Sequence, residues 1–192
     1  MIRPLILASA SPQRRAILAE AGFDFDVRPA DVDEEEVGDP SAVAEANARR
    51  KATAVPGALV LGADTVVALD GVIYGKPADE AQARAHLGAL NGRTHDVVGA
   101  IALARDGEVL ATAVETTKVT FRRRSEAEIA AYVATGEWEG RAGGYAIQAE
   151  GGSFMVQRID GDYLNVVGLP LERLRRLLDR CDDDSRGGTV VR

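Results

Sequence analysis

Leu59-Val60-Leu61-Gly62-Ala63 is a nearly continuous apolar run, and Asp64 follows it directly, ahead of Thr65-Val66-Val67. An apolar run without alternation describes a strand covered on both faces, as in a sheet with helices on each side. Asp64 then stands close to the end of a buried strand, where a carboxylate is fixed rather than mobile. Upstream, Leu5 to Ala8 form another apolar run, ended by Ser9-Ala10-Ser11-Pro12, and Ile17, Leu18 and Ala21 recur beyond it at helical spacing. Ser11 as N-cap, Pro12 as first helical residue and Gly22 as the stop give a strand, a polar turn and a helix. A second strand near Phe23 to Arg28 follows. After the acidic run Asp31-Val32-Asp33-Glu34-Glu35-Glu36, which reads as a loop, Ser41 opens a helix to about Ala54.

Downstream, Asp70-Gly71 and Gly75-Lys76-Pro77 break the chain before a helix at Glu80 to Leu90. A strand from Thr94 to Ala104 turns at Asp106-Gly107 into a return strand reaching about Phe121. These long antiparallel elements predict a mixed sheet rather than a plain doubly wound one. Ser125-Glu126-Ala127-Glu128 has capping-box spacing and predicts a helix to Ala134. Tyr145 to Gln148 reads as extended, with Tyr145 and Ile147 on one side, and a further hairpin is expected at Asp160-Gly161. Pro170 starts a last helix with an apolar stripe of Leu171, Leu174, Leu177 and Leu178. The fold class is α/β: a mixed twisted sheet with flanking helices. Residues 1–181 form one domain, and residues 182–192 read as a disordered acidic and polar tail.

The chain of 192 residues is 46% apolar and 28% charged, an ordinary globular composition. Its net charge of -7 disfavours broad attachment to nucleic acid, and no aromatic array offers a stacking platform. No apolar run is long enough to span a membrane, and the N-terminus lacks the apolar stretch of a signal peptide, so the expected location is cytoplasmic. The one cysteine, Cys181, excludes an internal disulfide and a cysteine-based zinc site. A small phosphorylated ligand remains compatible with this charge, because it needs only a local cluster of donors.

Ser9, Ser11 and Arg14 stand where a strand meets a helix N-terminus, a place suited to phosphate oxygens. The same residues equally describe an N-cap beside a solvated arginine. Asp33 and Glu34 suit a hard cation or a solvated acidic face. Asp64 is a stronger candidate, able to orient or deprotonate a water or to bind a metal. Lys51 and Lys76, on different elements, are surface lysines when taken singly and phosphate counter-charges when taken together. His86 and His95 fit no zinc pattern and are read as structural, and Arg122-Arg123-Arg124 as a solvated corner. No Walker or dinucleotide-binding glycine motif occurs.

Taken in order, these residues form a pattern. The stretches LASASPQRR (Leu7 to Arg15), VDE (Val32 to Glu34), GADTVV (Gly62 to Val67), GKP (Gly75 to Pro77), GRTH (Gly92 to His95), AGGYAIQ (Ala142 to Gln148) and GDYLNVVGLP (Gly161 to Pro170) resemble the Maf family of nucleoside triphosphate pyrophosphatases, also known as septum formation inhibitors. The resemblance implies a fold like that of the inosine triphosphate pyrophosphatase group, two lobes around a cleft, and a homodimer. It also implies release of pyrophosphate from a nucleoside triphosphate with magnesium or manganese. By resemblance, Asp64 is the catalytic carboxylate, with Arg14, Lys51 and Lys76 on the triphosphate and Glu34 and Asp64 at the metal. Ser9, Ser11, Thr65 and Gln148 would bind the nucleotide. Tyr145-Ala146-Ile147-Gln148 and Arg93-Thr94-His95 resemble the branch acting on dTTP and UTP. Gln13, where that branch usually has arginine, keeps 7-methyl-GTP as the alternative substrate, and a nucleotide-dependent, non-enzymatic role in septum formation is the alternative of a different class.

Overall fold

The computed structural model describes residues 5–186. Strands β1 (Leu5–Leu7), β2 (Phe25–Val27), β3 (Val60–Leu69), β4 (Val72–Tyr74), β5 (Thr94–Arg105), β6 (Glu108–Phe121) and β7 (Val156–Asp160) form one sheet in the order β2-β1-β3-β5-β6-β7, with β4 also on β3. β1 is parallel to β2 and to β3, and the remaining pairings are antiparallel, so the sheet is mixed as expected. Asp70-Gly71 and Asp106-Gly107 make the β3-β4 and β5-β6 turns, with positive φ at both residues of each pair. That is the geometry for which Asp-Gly is suited.

Asp64 lies in the middle of its strand, not near its end. Thr65 to Leu69 continue the apolar, β-branched run and stay paired to β5, whose register with β3 extends from Val60 to Ala68. What stops short of Asp64 is the parallel neighbour. β1 pairs with Val60 and Leu61, and β4 takes the same edge only from Val67 onward. Between them, residues 62–66 of β3 have no strand on that edge, and the sheet is open there.

Helix α2 (Pro40–Ala54), capped by Asp39, covers one face. Val43, Ala44, Ala48 and Ala52 pack on Val66, Val98, Ala100, Ala102 and Ala104. It lies so close that a Cβ on Gly62 would stand 2.1 Å from the Ala48 carbonyl oxygen, which makes glycine obligatory in that position. The other face carries two separate apolar clusters. One gathers Leu61, Ala63, Ile101 and Leu103 with α1 (Pro12–Glu20) and α7 (Leu171–Arg186). The second gathers Val67, Leu69, Val97, Val119 and Phe121 with α3 (Glu80–Leu90) and α4 (Glu126–Val133). Each fully buried Leu or Phe in them contributes about 1.5–3 kcal/mol. Between the clusters Thr65 and Gly99 face each other in register; Gly99 is covered by Asn165, and Thr65 lies on the wall of the cleft between the two lobes.

Four local expectations differ from the structure. Tyr145 to Gln148 is not a strand: it follows a 3-10 turn at Ala142–Gly144 and leads into α5 (Glu150–Met155). Tyr145, Ala146 and Ile147 are all buried, so no alternation operates there. Asp160-Gly161 makes no hairpin, because the Asp162 side chain accepts the Leu164 N–H and starts α6 (Tyr163–Val167) instead. Helix α7 continues through 182–186, which the sequence assigns to a disordered tail, since no glycine or proline interrupts it before Gly187. The rest of that tail lies outside the described residues. Arg124, finally, is not solvated: its guanidinium stacks on Phe154 at 3.4 Å and pairs with Glu128.

Candidate active site

The open edge of β3 faces the turn between β1 and α1. Ser11 caps α1, accepting the Arg14 N–H at 3.4 Å, and its hydroxyl donates to Gln13 Oε1 at 3.0 Å. The cap sets the first helical turn so that Arg14 points back across the gap. Its Nε donates to the Gly168 carbonyl at 2.9 Å, Nη1 to Ser9 Oγ at 2.9 Å and Nη2 to Thr65 Oγ1 at 3.2 Å. The Thr65 hydroxyl donates in turn to Gly168 O at 3.4 Å. Arg14 is thus a buried cation held by neutral oxygens alone, with no ion pair among the described residues. Burial pushes its guanidinium below the ordinary value, against the opposing pull of Asp64 and Glu34. A guanidinium stays charged in proteins, and no carboxylate among the described residues contacts this one.

On the opposite face α2 presents Lys51, one turn from its C-terminal end. Its ammonium donates to Asp64 Oδ1 at 2.7 Å and pairs with Glu34 Oε1 at 2.8 Å. Asp64 and Lys51 are buried, at 5% and 7% exposure. Asn47, one turn earlier on α2, donates to Asp64 Oδ2 at 3.1 Å. Lys76, exposed on the segment after β4, stands 3.7 Å from Glu34 Oε2. Successive strand residues face opposite sides, so Asp64 meets α2 while Thr65 meets α1. The missing strand lets both reach the same space.

Nine of the residues singled out in the sequence (Ser9, Ser11, Arg14, Glu34, Lys51, Asp64, Thr65, Lys76 and Gln148) line one cleft of about 490 Å³. Asp33 is exposed and outside it. Gln148 is exposed at the opposite wall, in a segment anchored by buried Tyr145. The Tyr145 hydroxyl and His95 Nε2 are 2.8 Å apart, and Phe121 packs edge-on to both rings. Burial holds His95 down to about 4, so it is a neutral structural imidazole near pH 7. Three features were not singled out in the sequence: Asn47, Arg141, which lines the cleft, and the Gly168 carbonyl, a backbone acceptor whose role its place in the GDYLNVVGLP stretch does not reveal.

Glu34 and Asp64 approach a single ammonium within 2.8 Å, so their oxygens face one small volume. A hard cation that takes one or two carboxylates and completes its shell with phosphate and water oxygens fits that donor set. No group of three or more His, Cys, Asp or Glu suited to a metal occurs among the described residues.

Residues 4–181 match the Maf-like protein family. The chain is 48% identical to a dTTP/UTP pyrophosphatase of Anaeromyxobacter dehalogenans, over 92% of this chain and 93% of that protein. It is 49% identical to one of Salinibacter ruber, over 91% and 89%, and 48% identical to one of Thermus thermophilus, over 91% and 93%. Among solved structures, a HAM1 protein from Coxiella burnetii superposes with a TM-score of 0.52 at 18% identity, covering 93% of this chain and all of that one. At that identity the likeness concerns the fold alone. No helix among the described residues is long and apolar enough to cross a membrane.

Proposed function

Because the chain belongs to the Maf family, we propose that it hydrolyses dTTP and UTP to the nucleoside monophosphate and pyrophosphate. The observation that carries this reading is the buried Arg14 without a contacting anion, set across the cleft from the Asp64–Lys51–Glu34 row. A triphosphate laid over the open edge of β3 brings negative charge to Arg14, which has no ion pair among the described residues, and to exposed Lys76, whose contact with Glu34 is long at 3.7 Å. Electrostatic stabilisation of this kind needs no reorganisation during reaction, because the donors are already placed.

Water attacks the α-phosphorus. A new P–O bond forms, the bond from the α-phosphorus to the α,β-bridging oxygen breaks, and pyrophosphate leaves with that oxygen. Asp64 receives the water's proton, its carboxylate oriented by Lys51 at one oxygen and Asn47 at the other. Lys51 and Arg14 neutralise charge growing on the phosphoryl oxygens. Glu34 and Asp64 would hold Mg2+ or Mn2+, which when bound supplies Lewis-acid charge stabilisation at the phosphate oxygens. Gln148, with donor and acceptor groups at the opposite wall, suits the edge of a pyrimidine.

The test is a substrate panel with product identification: dTTP, UTP and 7-methyl-GTP with magnesium. Monophosphate plus pyrophosphate from dTTP and UTP is expected, and Asp64→Asn should abolish it. Orthophosphate as first product would refute the choice of bond, and turnover of 7-methyl-GTP alone would refute the choice of base.

A further inference from the structure

Asn47 lies on the sheet-facing side of α2 and is 1% exposed. Its neighbours on that side are Val43, Ala44 and Ala48, so packing alone favours a small or apolar residue there. Asparagine is also a poorer helix former than leucine or alanine, and burial of its amide is costly unless every polar atom is satisfied. Here every one is. Nδ2 donates to Asp64 Oδ2 at 3.1 Å and to the Glu35 carbonyl at 2.9 Å, while Oδ1 accepts the Glu35 N–H at 2.7 Å and an Arg50 Nη1 contact at 3.5 Å. The two bonds exchanged with Glu35 are those one strand offers another. They are given to a segment, residues 28–39, that has no strand or helix of its own.

That segment carries Glu34, whose carboxylate reaches Lys51 and Lys76. One amide therefore ties the loop holding one carboxylate of the site to the side chain of the other. We infer that Asn47 is a positioning residue: it clasps the 28–39 loop to Asp64, setting both the separation of the two carboxylates across the Lys51 ammonium and the rotation of the Asp64 carboxylate. This inference rests on the pyrophosphatase reading. Asn47 makes no hydrogen bond to Ser9, Arg14 or Thr65, so its effect falls chiefly on the chemical step.

Asn47→Leu keeps the number and branching of the side-chain heavy atoms and removes all of these bonds. The expected result is a fall in kcat for dTTP of roughly 10- to 100-fold with KM little changed. Amide hydrogen exchange should accelerate in peptides covering 31–39 and stay unchanged in the rest of the chain. Should the leucine variant not fold, Asn47→Ser, which keeps a single hydroxyl in the space, is held to the same two readings. Unchanged kcat in the folded variant, a loss carried by KM, or unchanged exchange of the loop each overturns the inference. Wild-type protein that turns over neither dTTP nor UTP overturns the pyrophosphatase reading instead, while the exchange measurement still decides whether the clasp exists.

Discussion

Lys51→Met removes the ammonium and leaves an unbranched apolar side chain of similar length. The ammonium sits on a side chain 8% exposed, 2.7 Å from Asp64 and 2.8 Å from Glu34. At an effective dielectric near 20, one pair at such a distance represents roughly 6 kcal/mol of gross attraction, most of which offsets desolvation. After the substitution Glu34, with a side chain 35% exposed, turns to water, but Asp64, at 7%, cannot. Stranding one member of a buried pair costs roughly 3–5 kcal/mol. For a chain of this size that lowers Tm by roughly 6–20 °C. Adding Asp64→Leu removes the stranded charge, so the double variant should regain most of the loss while remaining inactive. The assay is urea unfolding followed by circular dichroism on wild type, single and double variants, with dTTP turnover in parallel. kcat/KM of Lys51→Met should fall by roughly 10²- to 10³-fold. A single-variant loss below about 1 kcal/mol, the range of a surface pair, or a double variant no more stable than the single, would refute the reasoning.

Burial holds His95 at about 4, below its ordinary 6.5, with Asp96 pulling the other way. The unfolded chain then takes up the extra proton first, so His95 costs no stability above about pH 6.5 and progressively more as pH falls toward about 4. Urea titrations across that window should show a decline on the order of 3 kcal/mol that His95→Gln abolishes; equal slopes in both proteins would place the acid lability elsewhere. Gly99→Ala puts a Cβ 1.9 Å from Asn165 Oδ1, on the helix that leads to the Gly168 carbonyl, and should cost roughly 1–3 kcal/mol together with activity. Gly88→Ala in α3, where a Cβ meets nothing within 4 Å, should instead stabilise by up to about 1 kcal/mol. The opposite ranking in thermal melts would contradict the packing described.

Local features were legible wherever one residue type answers one backbone demand. The Asp-Gly turns, the Ser11-Pro12 helix start and the Ser125–Glu128 capping box are all present. Legibility failed where tertiary context chose between local options. Tyr145 to Ile147 has strand-like composition but is buried on every residue beneath α3 and α4, and Asp162 caps a helix where a turn was expected. At the cleft, Arg14, Glu34, Lys51, Asp64 and Lys76 could be read as candidates from their types, and the family resemblance joined them; Arg141 was not read. Asn47 and the Gly168 carbonyl could not, since a buried amide in an alanine-rich helix and a backbone oxygen carry no pattern.

Asp64 following an apolar run, Arg14 behind a capped helix start and Lys51 on the next helix are properties of the chain itself, set by side-chain chemistry and the periodicity of each segment. Their meeting is not. It depends on β1 ending before Asp64 and β4 beginning beyond it, which leaves an edge of β3 free. It depends as well on Gly62 admitting α2 close enough for Lys51 to reach Asp64. Strand length and helix approach are decided by pairing partners and packing far apart in sequence, and so only the folded chain brings a cation without an anion and a pair of carboxylates to opposite sides of one opening.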